Sequence, residues 1–124
     1  VLQIERHILL PQWDIVEFCA QHDILIQAHT PLGQGKLTHN AVVKDIAATS
    51  RISPAQVLLQ WNIIQNVAIV TKSTSEDHLK EIVDSGKEVF LSENDMKVLD
   101  EISDTTRFVS PPFMFGNEPY CWEN

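Results

Sequence analysis

The sequence predicts an α/β protein built from parallel β/α units. A strand pattern followed by a helical pattern occurs three times, and the strand segments are apolar runs too continuous to have one face in water. Two architectures fit this order, an open doubly wound sheet and part of a (β/α)8 barrel. No Gly-rich dinucleotide fingerprint follows any strand, which argues against the doubly wound sheet. A phosphate-type turn after the last strand favours the second.

The first half of the chain contains two of these units. Residues 1–5 are predicted to form a strand, and a helix is predicted to begin at Gln12. Its apolar face at helical spacing is formed by Trp13, Ile15, Val16 and Cys19. Residues 24–28 form an apolar run of strand length, which the sequence His-Thr-Pro-Leu-Gly at 29–33 ends as a turn.

Two helices are predicted next, over residues 41–49 and 54–65. The second has a strong start signal, because Ser53 is a suitable N-cap and Pro54 takes the first helical position. The residues of its predicted buried stripe are Val57, Leu58, Trp61 and Ile64.

The third unit follows, with a strand over residues 67–71 and a helix that ends near Val83. A last helix begins with the capping-box pattern of Ser92 and Asp95. Its apolar side is formed by Met96, Leu99 and Ile102. From Asp104 onward, prolines, a glycine and aromatic residues predict an irregular tail.

Composition and charge limit the class of protein. A chain of 124 residues, with 44% hydrophobic and 21% charged residues, is typical of one modest soluble domain. The net charge of -8 argues against a nucleic-acid or anionic-membrane surface, which would need a basic face. No apolar run approaches the ~20 residues of a membrane span, and no secretory signal is evident.

Cysteines and histidines show no metal or redox pattern. Cys19 and Cys121 lack such spacing, so we expect reduced thiols and a cytoplasmic location; no feature of the sequence supports a disulfide between them. His7, His22 and His39 share no helical face with carboxylates at ligand spacing, and we expect no metal site. No G-x-S-x-G elbow is present. The pair Asp14 and Glu17, at helical spacing, is expected to be a solvated face.

The strongest local signal is the turn after the third strand. Lys72 and four hydroxyl side chains lie between an apolar run and a polar helix, and Ser75 is placed to cap that helix. Free N–H groups of a first helical turn favour a phosphate, and Lys72 with His78 and Lys80 is locally basic. A small anionic ligand fits this pattern; so does a capped surface helix that follows an ordinary exposed lysine.

Four motifs in order resemble the C-terminal part of the aldo-keto reductases. They are Gln-Ile-Glu at 3–5 with His7 and Gln12, Ala-His-Thr-Pro-Leu-Gly at 28–33, Ser-Pro-Ala-Gln-Val at 53–57 with Trp61, and Thr-Lys-Ser at 71–73 followed by Glu81. The resemblance extends to about Ile102. It implies the last three β/α units of a (β/α)8 barrel over residues 1–103, followed by an irregular C-terminal tail over residues 104–124.

The resemblance also implies a nicotinamide cofactor, NADP with NAD as the alternative, and a small-molecule carbonyl substrate. The matching cofactor positions are Gln3, His29, Thr30, Leu32, Lys72, Ser73, Ser75, His78 and Glu81. Gln3 matches the glutamine that binds the nicotinamide carboxamide, and His29 stands where a tyrosine usually stacks on the ring. Thr30 and Leu32 match the loop beside the pyrophosphate.

The adenosine end of the implied site contains two departures from the family. Lys72, Ser73 and Ser75 match positions around the 2′-phosphate, and Glu81 lies near the adenine. His78 replaces an arginine that usually reinforces that phosphate, and Ile82 replaces an asparagine at the adenine. Because histidine cannot form arginine's bidentate fork, we expect a weaker preference for the phosphorylated cofactor.

The implied chemistry is hydride transfer to an aldehyde or ketone, and the family's proton-donating tyrosine with its lysine, aspartate and histidine would lie before Val1. The chain's one tyrosine, Tyr120, is expected to pack or to line a substrate pocket. The tail aromatics that either cover the barrel or shape that pocket are Phe108, Phe113, Phe115 and Trp122. The alternatives are a divergent, non-catalytic binding or structural protein, and an unrelated β/α protein that binds another phosphate.

Overall fold

The computed structural model describes residues 1–110. Within them lie three strands and five α-helices. The strands are β1 (Leu2–Glu5), β2 (Ile26–His29) and β3 (Ala68–Val70). The helices are α1 (Trp13–Gln21), α2 (Ala41–Ser50), α3 (Pro54–Ile63), α4 (Glu76–Ser85) and α5 (Glu93–Asp100), and a 3-10 helix spans Gly33–His39.

The strands form one parallel sheet in the order β1-β2-β3. Glu5 lies opposite His29, and His29 lies opposite Val70, so the carboxyl ends of all three strands meet at one edge. The parallel β/α arrangement predicted from the continuous apolar strands is confirmed.

The helix-facing side of the sheet packs against α1. Its buried cluster contains Ile26, Ala28 and Val67 from the strand segments and Cys19 from α1. The opposite side of the sheet exposes Leu25 and Val70, and Gln3 on the same side donates a 2.8 Å hydrogen bond to Gln27. One side of the sheet is therefore packed and the other is largely open among the described residues.

A second, larger cluster lies around α3. This helix is buried on nearly every side, and Val57, Leu58 and Trp61 have no exposed surface. Ser53 is the N-cap, as predicted, and it forms a full capping box with Gln56: the Ser53 hydroxyl accepts from the Gln56 N–H, and the Gln56 side-chain oxygen accepts from the Ser53 N–H. The predicted stripe is thus confirmed except that Ile64 is only partly buried.

Arg6 ties the end of β1 to α3. Its guanidinium is completely buried, donates to Asn62 and Gln65, and lies 4.2 Å from the centroid of the Trp61 ring. Trp13, although 41% exposed, packs edge-on against Trp61 at 5.9 Å, as expected of a helix-packing residue. The contacts of Arg6 with α3 thus fix the carboxyl end of β1 relative to the helices.

The segment after β2 differs from the sequence prediction. A turn was predicted at residues 29–33, with no helix before residue 41, but a 3-10 helix follows the turn directly. It is kinked where Gln34 and Gly35 adopt left-handed φ values of 58° and 83°. Leu37 from its second half is buried in the α3 cluster, so tertiary packing rather than a local signal sets this path.

Candidate functional site

A cleft of about 1010 Å³ opens where β2 and β3 end. In parallel α/β folds, ligands bind beyond the carboxyl ends of the strands, because the loops there present free backbone groups and side chains. One wall is the turn after β2 with the 3-10 helix, and the other is the turn after β3 with α4. The base comes from the start of α3, including Ser53 and Leu59.

The first wall is built on an unusual backbone turn. Thr30 has a left-handed φ of 57°, and its hydroxyl lies 2.9 Å from Nδ1 of His29. Gly33 follows with φ of 55°, and a Cβ there would lie 2.6 Å from Cγ of Leu37. Only glycine fits that position without displacing its neighbours, so the turn can pass close to the 3-10 helix.

The second wall is organised by hydroxyl groups. The Ser73 hydroxyl accepts from the backbone N–H of Ser75 at 3.1 Å, and the Ser75 hydroxyl accepts from the N–H of His78 at 3.5 Å. Ser75 is therefore the N-cap of α4, as predicted. This local bonding shapes the turn so that Lys72, which is exposed, lies at the edge of the cleft.

Six of the nine predicted site residues line this cleft: Thr30, Leu32, Lys72, Ser73, His78 and Glu81. Ile82 lines it too. The other three do not line it. Gln3 and His29 are on β1 and β2, on the open side of the sheet, and Ser75 caps α4.

The cleft lining is basic although the chain is acidic. Lys44, Lys72, His39 and His78 line it, against the single carboxylate of Glu81. The whole chain has a net charge of -8, so this is a local reversal of sign. Such a contrast attracts an anionic ligand into the cleft.

The first turn of α4 weakens that attraction. Glu76 and Asp77 are both exposed there. Carboxylates at a helix N-terminus stabilise the helix through its dipole, but they compete with an anion for the same positive end. The positive charge at the cleft therefore comes from Lys72 and Lys44 more than from the helix terminus.

Several cleft residues escaped prediction from the sequence. The additional polar lining comes from Gln34, Thr38, His39, Lys44 and Ser53. They reach the cleft because the kinked 3-10 helix and α2 fold back over the start of α3, a path with no local signal. The one available hint was Ser53, which the sequence marks as a helix cap immediately after a loop.

The other residues considered in the sequence analysis are the potential metal ligands, the acidic pair on α1, the cysteines and the tail aromatics. Within residues 1–110 there is no group of three or more potential metal-ligating side chains, and Asp14 and Glu17 are exposed on α1. In the same range no helix is long and apolar enough to cross a membrane. Cys19 is a free, buried thiol. The expectations for Tyr120, Cys121 and the tail aromatics Phe113, Phe115 and Trp122 lie outside the described residues.

A sequence model of the "Aldo/keto reductase family" matches residues 1–104. The chain is 35% identical to a 9,11-endoperoxide prostaglandin H2 reductase of Trypanosoma cruzi over 118 residues, which are 93% of this chain and 41% of the relative. It is 38% identical to an aldo-keto reductase of Mycobacterium leprae over 115 residues, 90% of this chain and 39% of the relative. The chain thus spans about 40% of the length of these curated relatives.

Solved structures give the same assignment. The chain superposes with a TM-score of 0.76 on a Gox0644 mutant in complex with NADPH, at 28% identity, covering 82% of this chain and 37% of the other. For apo Gox0644 the TM-score is 0.78 at 28% identity, with 88% and 40% covered. The three parallel β/α units are therefore a portion of a (β/α)8 barrel, as predicted.

Proposed function

The chain belongs to the aldo/keto reductase family, and from that premise we propose that it forms the cofactor-binding part of an NADP-dependent oxidoreductase that reduces aldehydes or ketones. The observation that carries this proposal is the basic cleft at the ends of β2 and β3, in an otherwise acidic chain. NADPH supplies the hydride, and the residues of the cleft hold and orient it.

The residues of the cleft fit an extended dinucleotide phosphate. In this proposal Lys72 and His78, which line the cleft, bind the 2′-phosphate, and the Ser73 hydroxyl lies next to Lys72. Thr30 and Leu32, on the facing wall, are assigned to the pyrophosphate. A structural neighbour at 28% identity forms a complex with NADPH, which supports the same cofactor here.

Gln3 and His29 are assigned to the nicotinamide end. Both project from the strands on the open side of the sheet, and His29 lies directly opposite Val70, which lines the cleft. An imidazole there can stack on the ring over a smaller area than a phenol. Gln3 is exposed and its amide bonds, among residues 1–110, to Gln27, so it can turn toward a ligand carboxamide.

The proton donor for carbonyl reduction is proposed to come from outside this chain. The only tyrosine is Tyr120, and no lysine follows Lys97 along the sequence. A tyrosine needs a neighbouring cation to shift its pKa toward neutrality. In this proposal the chain binds and orients the cofactor, and the proton is delivered by other residues of the complete enzyme.

The assignment of Lys72 can be tested by titrating NADPH and NADH while following nicotinamide fluorescence. Replacing Lys72 with alanine removes a charge-assisted contact to phosphate, so we expect NADPH affinity to fall about tenfold or more and NADH affinity to change less. The matched control is Lys87→Ala, because Lys87 pairs with Asp84 and does not line the cleft. NADPH affinity unaltered by Lys72→Ala would reject the phosphate assignment.

A second variant adds a charge to the same end of the cleft. His78→Arg restores a permanently charged, bidentate donor, so it should raise the preference for NADPH over NADH. A variant that binds NADPH tightly, within a complete enzyme that still reduces no aldehyde or ketone, would instead support the non-catalytic alternative.

A further inference from the structure

The segment after α5 is fastened to a buried carboxylate at the end of β1. Glu5 is 3% exposed, and its Oε1 accepts from the backbone N–H of Phe108 at 2.6 Å. Its Oε2 accepts from the N–H of Val109 at 2.9 Å. Nε2 of His7 lies 3.0 Å from Oε1, and the Arg107 guanidinium lies 4.0 Å from Oε2. Hydrogen bonds to an ionised acceptor are about twice as strong as neutral ones.

The Phe108 side chain packs on the wall of the cleft. A Cβ placed on Gly33 would lie 2.7 Å from Cε2 of Phe108, so the ring rests directly on the bare glycine. The Lys36 ammonium lies 5.3 Å from the ring centroid, and the Gln34 amide donates to the Phe108 carbonyl at 3.4 Å. Gly33 and Lys36 therefore contact the Phe108 side chain, and Gln34 contacts the Phe108 backbone.

Residues 106–109, here named the strap, have no helix or strand of their own. The N–H of Thr106 donates to the carbonyl of Leu9 at 2.9 Å, which fixes the entrance of the strap. Its exit is held by the two bonds to Glu5. Between these points Phe108 connects Glu5 to residues 33–36, here named the wall turn. Gln34 and Gly35 of the wall turn line the cleft.

We propose that Glu5 is a positioning residue for the cleft: by fastening the strap, it holds the Phe108 ring against residues 33–36 and so sets the conformation of the cleft wall. The wall turn has left-handed φ values at Gln34 and Gly35 and depends on contacts from outside itself. Loss of the Glu5 carboxylate should therefore loosen the turn, although Glu5 does not line the cleft.

The test is peptide-resolved hydrogen–deuterium exchange on the full chain without ligand. Glu5→Gln keeps the shape of the side chain but removes the charge. We expect exchange about tenfold faster at the strap and also at residues 33–37, where the N–H groups of Gly33, Gly35 and Leu37 are hydrogen-bonded. The matched control is Glu17→Gln, an exposed carboxylate on α1, for which both segments should exchange as in the wild type. Faster exchange in the strap alone would overturn the proposal.

A second variant separates the ring from the carboxylate. Phe108→Ala leaves the backbone N–H in place, so the bonds to Glu5 persist while the contact with Gly33 and Lys36 is lost. We expect residues 33–37 to exchange faster while the N–H of Val109 stays protected, and Phe108→Leu to restore part of the protection. This arm remains decisive if Glu5→Gln fails to fold, because a wall turn unaffected by Phe108→Ala would reject the proposal on its own.

Coupling to the ligand can be measured with NADPH, and this arm rests on the proposed function. If the strap shapes the wall, Glu5→Gln should lower NADPH affinity severalfold without removing Lys72 or any other lining residue. Binding of NADPH by the wild type with unchanged affinity in Glu5→Gln would count against the positioning role. No binding by the wild type would refute the proposed function, while exchange without ligand would still decide the role of Glu5.

Discussion

Arg6 and His7 follow β1 directly, and both side chains are fully buried. Arg6 is buried as a charged group, whereas His7 is buried as a neutral one. Burial lowers the pKa of Arg6 to about 10, and Asp100 partly offsets this, so Arg6 remains charged at neutral pH. Its partners Asn62 and Gln65 supply oxygen acceptors, and two indole rings supply polarisable surface. A buried charge with so many partners fixes the end of β1. Removing it would leave the oxygens of Asn62 and Gln65 without a hydrogen-bond donor from Arg6.

His7 is held in its neutral form. Burial lowers its pKa below the ordinary value of 6.5, and Arg107 and His29 act in the same direction, while the hydrogen bond and charge of Glu5 oppose them. With Nε2 directed at Glu5, a second proton would go to Nδ1, which is buried and has no hydrogen-bond partner among the described residues. The folded protein therefore takes up this proton at a lower pH than the unfolded chain does.

The free energy of unfolding should consequently fall as the pH drops from about 6.5 toward the folded pKa of His7, with a slope of up to about 1.4 kcal/mol per pH unit. Above pH 6.5 the contribution is fully present, because the group is neutral in both states. Urea unfolding at pH 7.5, 6.5 and 5.5 measures the slope. His7→Gln should flatten the profile, and His22→Gln, at an exposed histidine, should not. Greater stability at pH 5.5 than at pH 7.5 would contradict this account.

At the scale of elements, helix caps explain why so much of the fold is predictable from sequence. Helices α3, α4 and α5 begin where predicted, because their N-caps Ser53, Ser75 and Ser92 can be recognised in the sequence. Helix α1 begins one residue after the predicted Gln12, which makes no side-chain cap. The 3-10 helix at Gly33–His39 was missed, since its kink at Gln34 depends on distant packing of Leu37. Glu5 was likewise seen only as part of a motif, because its partners Phe108 and Val109 are more than 100 residues away.

Ser53 is the cap with the largest expected effect. It closes a complete capping box at the start of α3, the most buried helix. Ser53→Ala should lower the free energy of unfolding by about 1 kcal/mol. Ser75→Ala should cost less, because its bond is 3.5 Å long and exposed. Denaturant midpoints at constant m-value give the comparison, with the exposed Ser103→Ala as control. Equal losses at Ser53 and Ser103 would show that the cap contributes nothing.

At the scale of the whole molecule, one side of the sheet lacks a covering layer among residues 1–110. Val1, Leu25 and Val70 are 82%, 51% and 40% exposed on that side, and β1 and β3 are open edges. Leu79 and Val83 of α4 add a second apolar area. In a complete barrel the sheet closes on itself and has no edges.

The 124-residue chain in isolation should therefore self-associate. Sedimentation velocity should show oligomers that increase with protein concentration, and with salt as screening weakens the repulsion from a net charge of -8. Leu25→Glu, on the open side, should reduce association more than Val98→Glu, which adds the same charge to α5. A clean monomer at every concentration and salt would refute the expectation.

The bonds from Glu5 to Phe108 and Val109 also order the events of synthesis. The carboxylate leaves the ribosome about a hundred residues before its backbone donors do. Until then the carboxylate has only its contact with His7, so burying it costs more free energy than in the completed fold. Closing so long a loop adds an entropic cost that only the completed packing repays. The native surroundings of β1 are thus among the last to form, and a nascent chain arrested before residue 108 lacks both backbone donors of the Glu5 carboxylate.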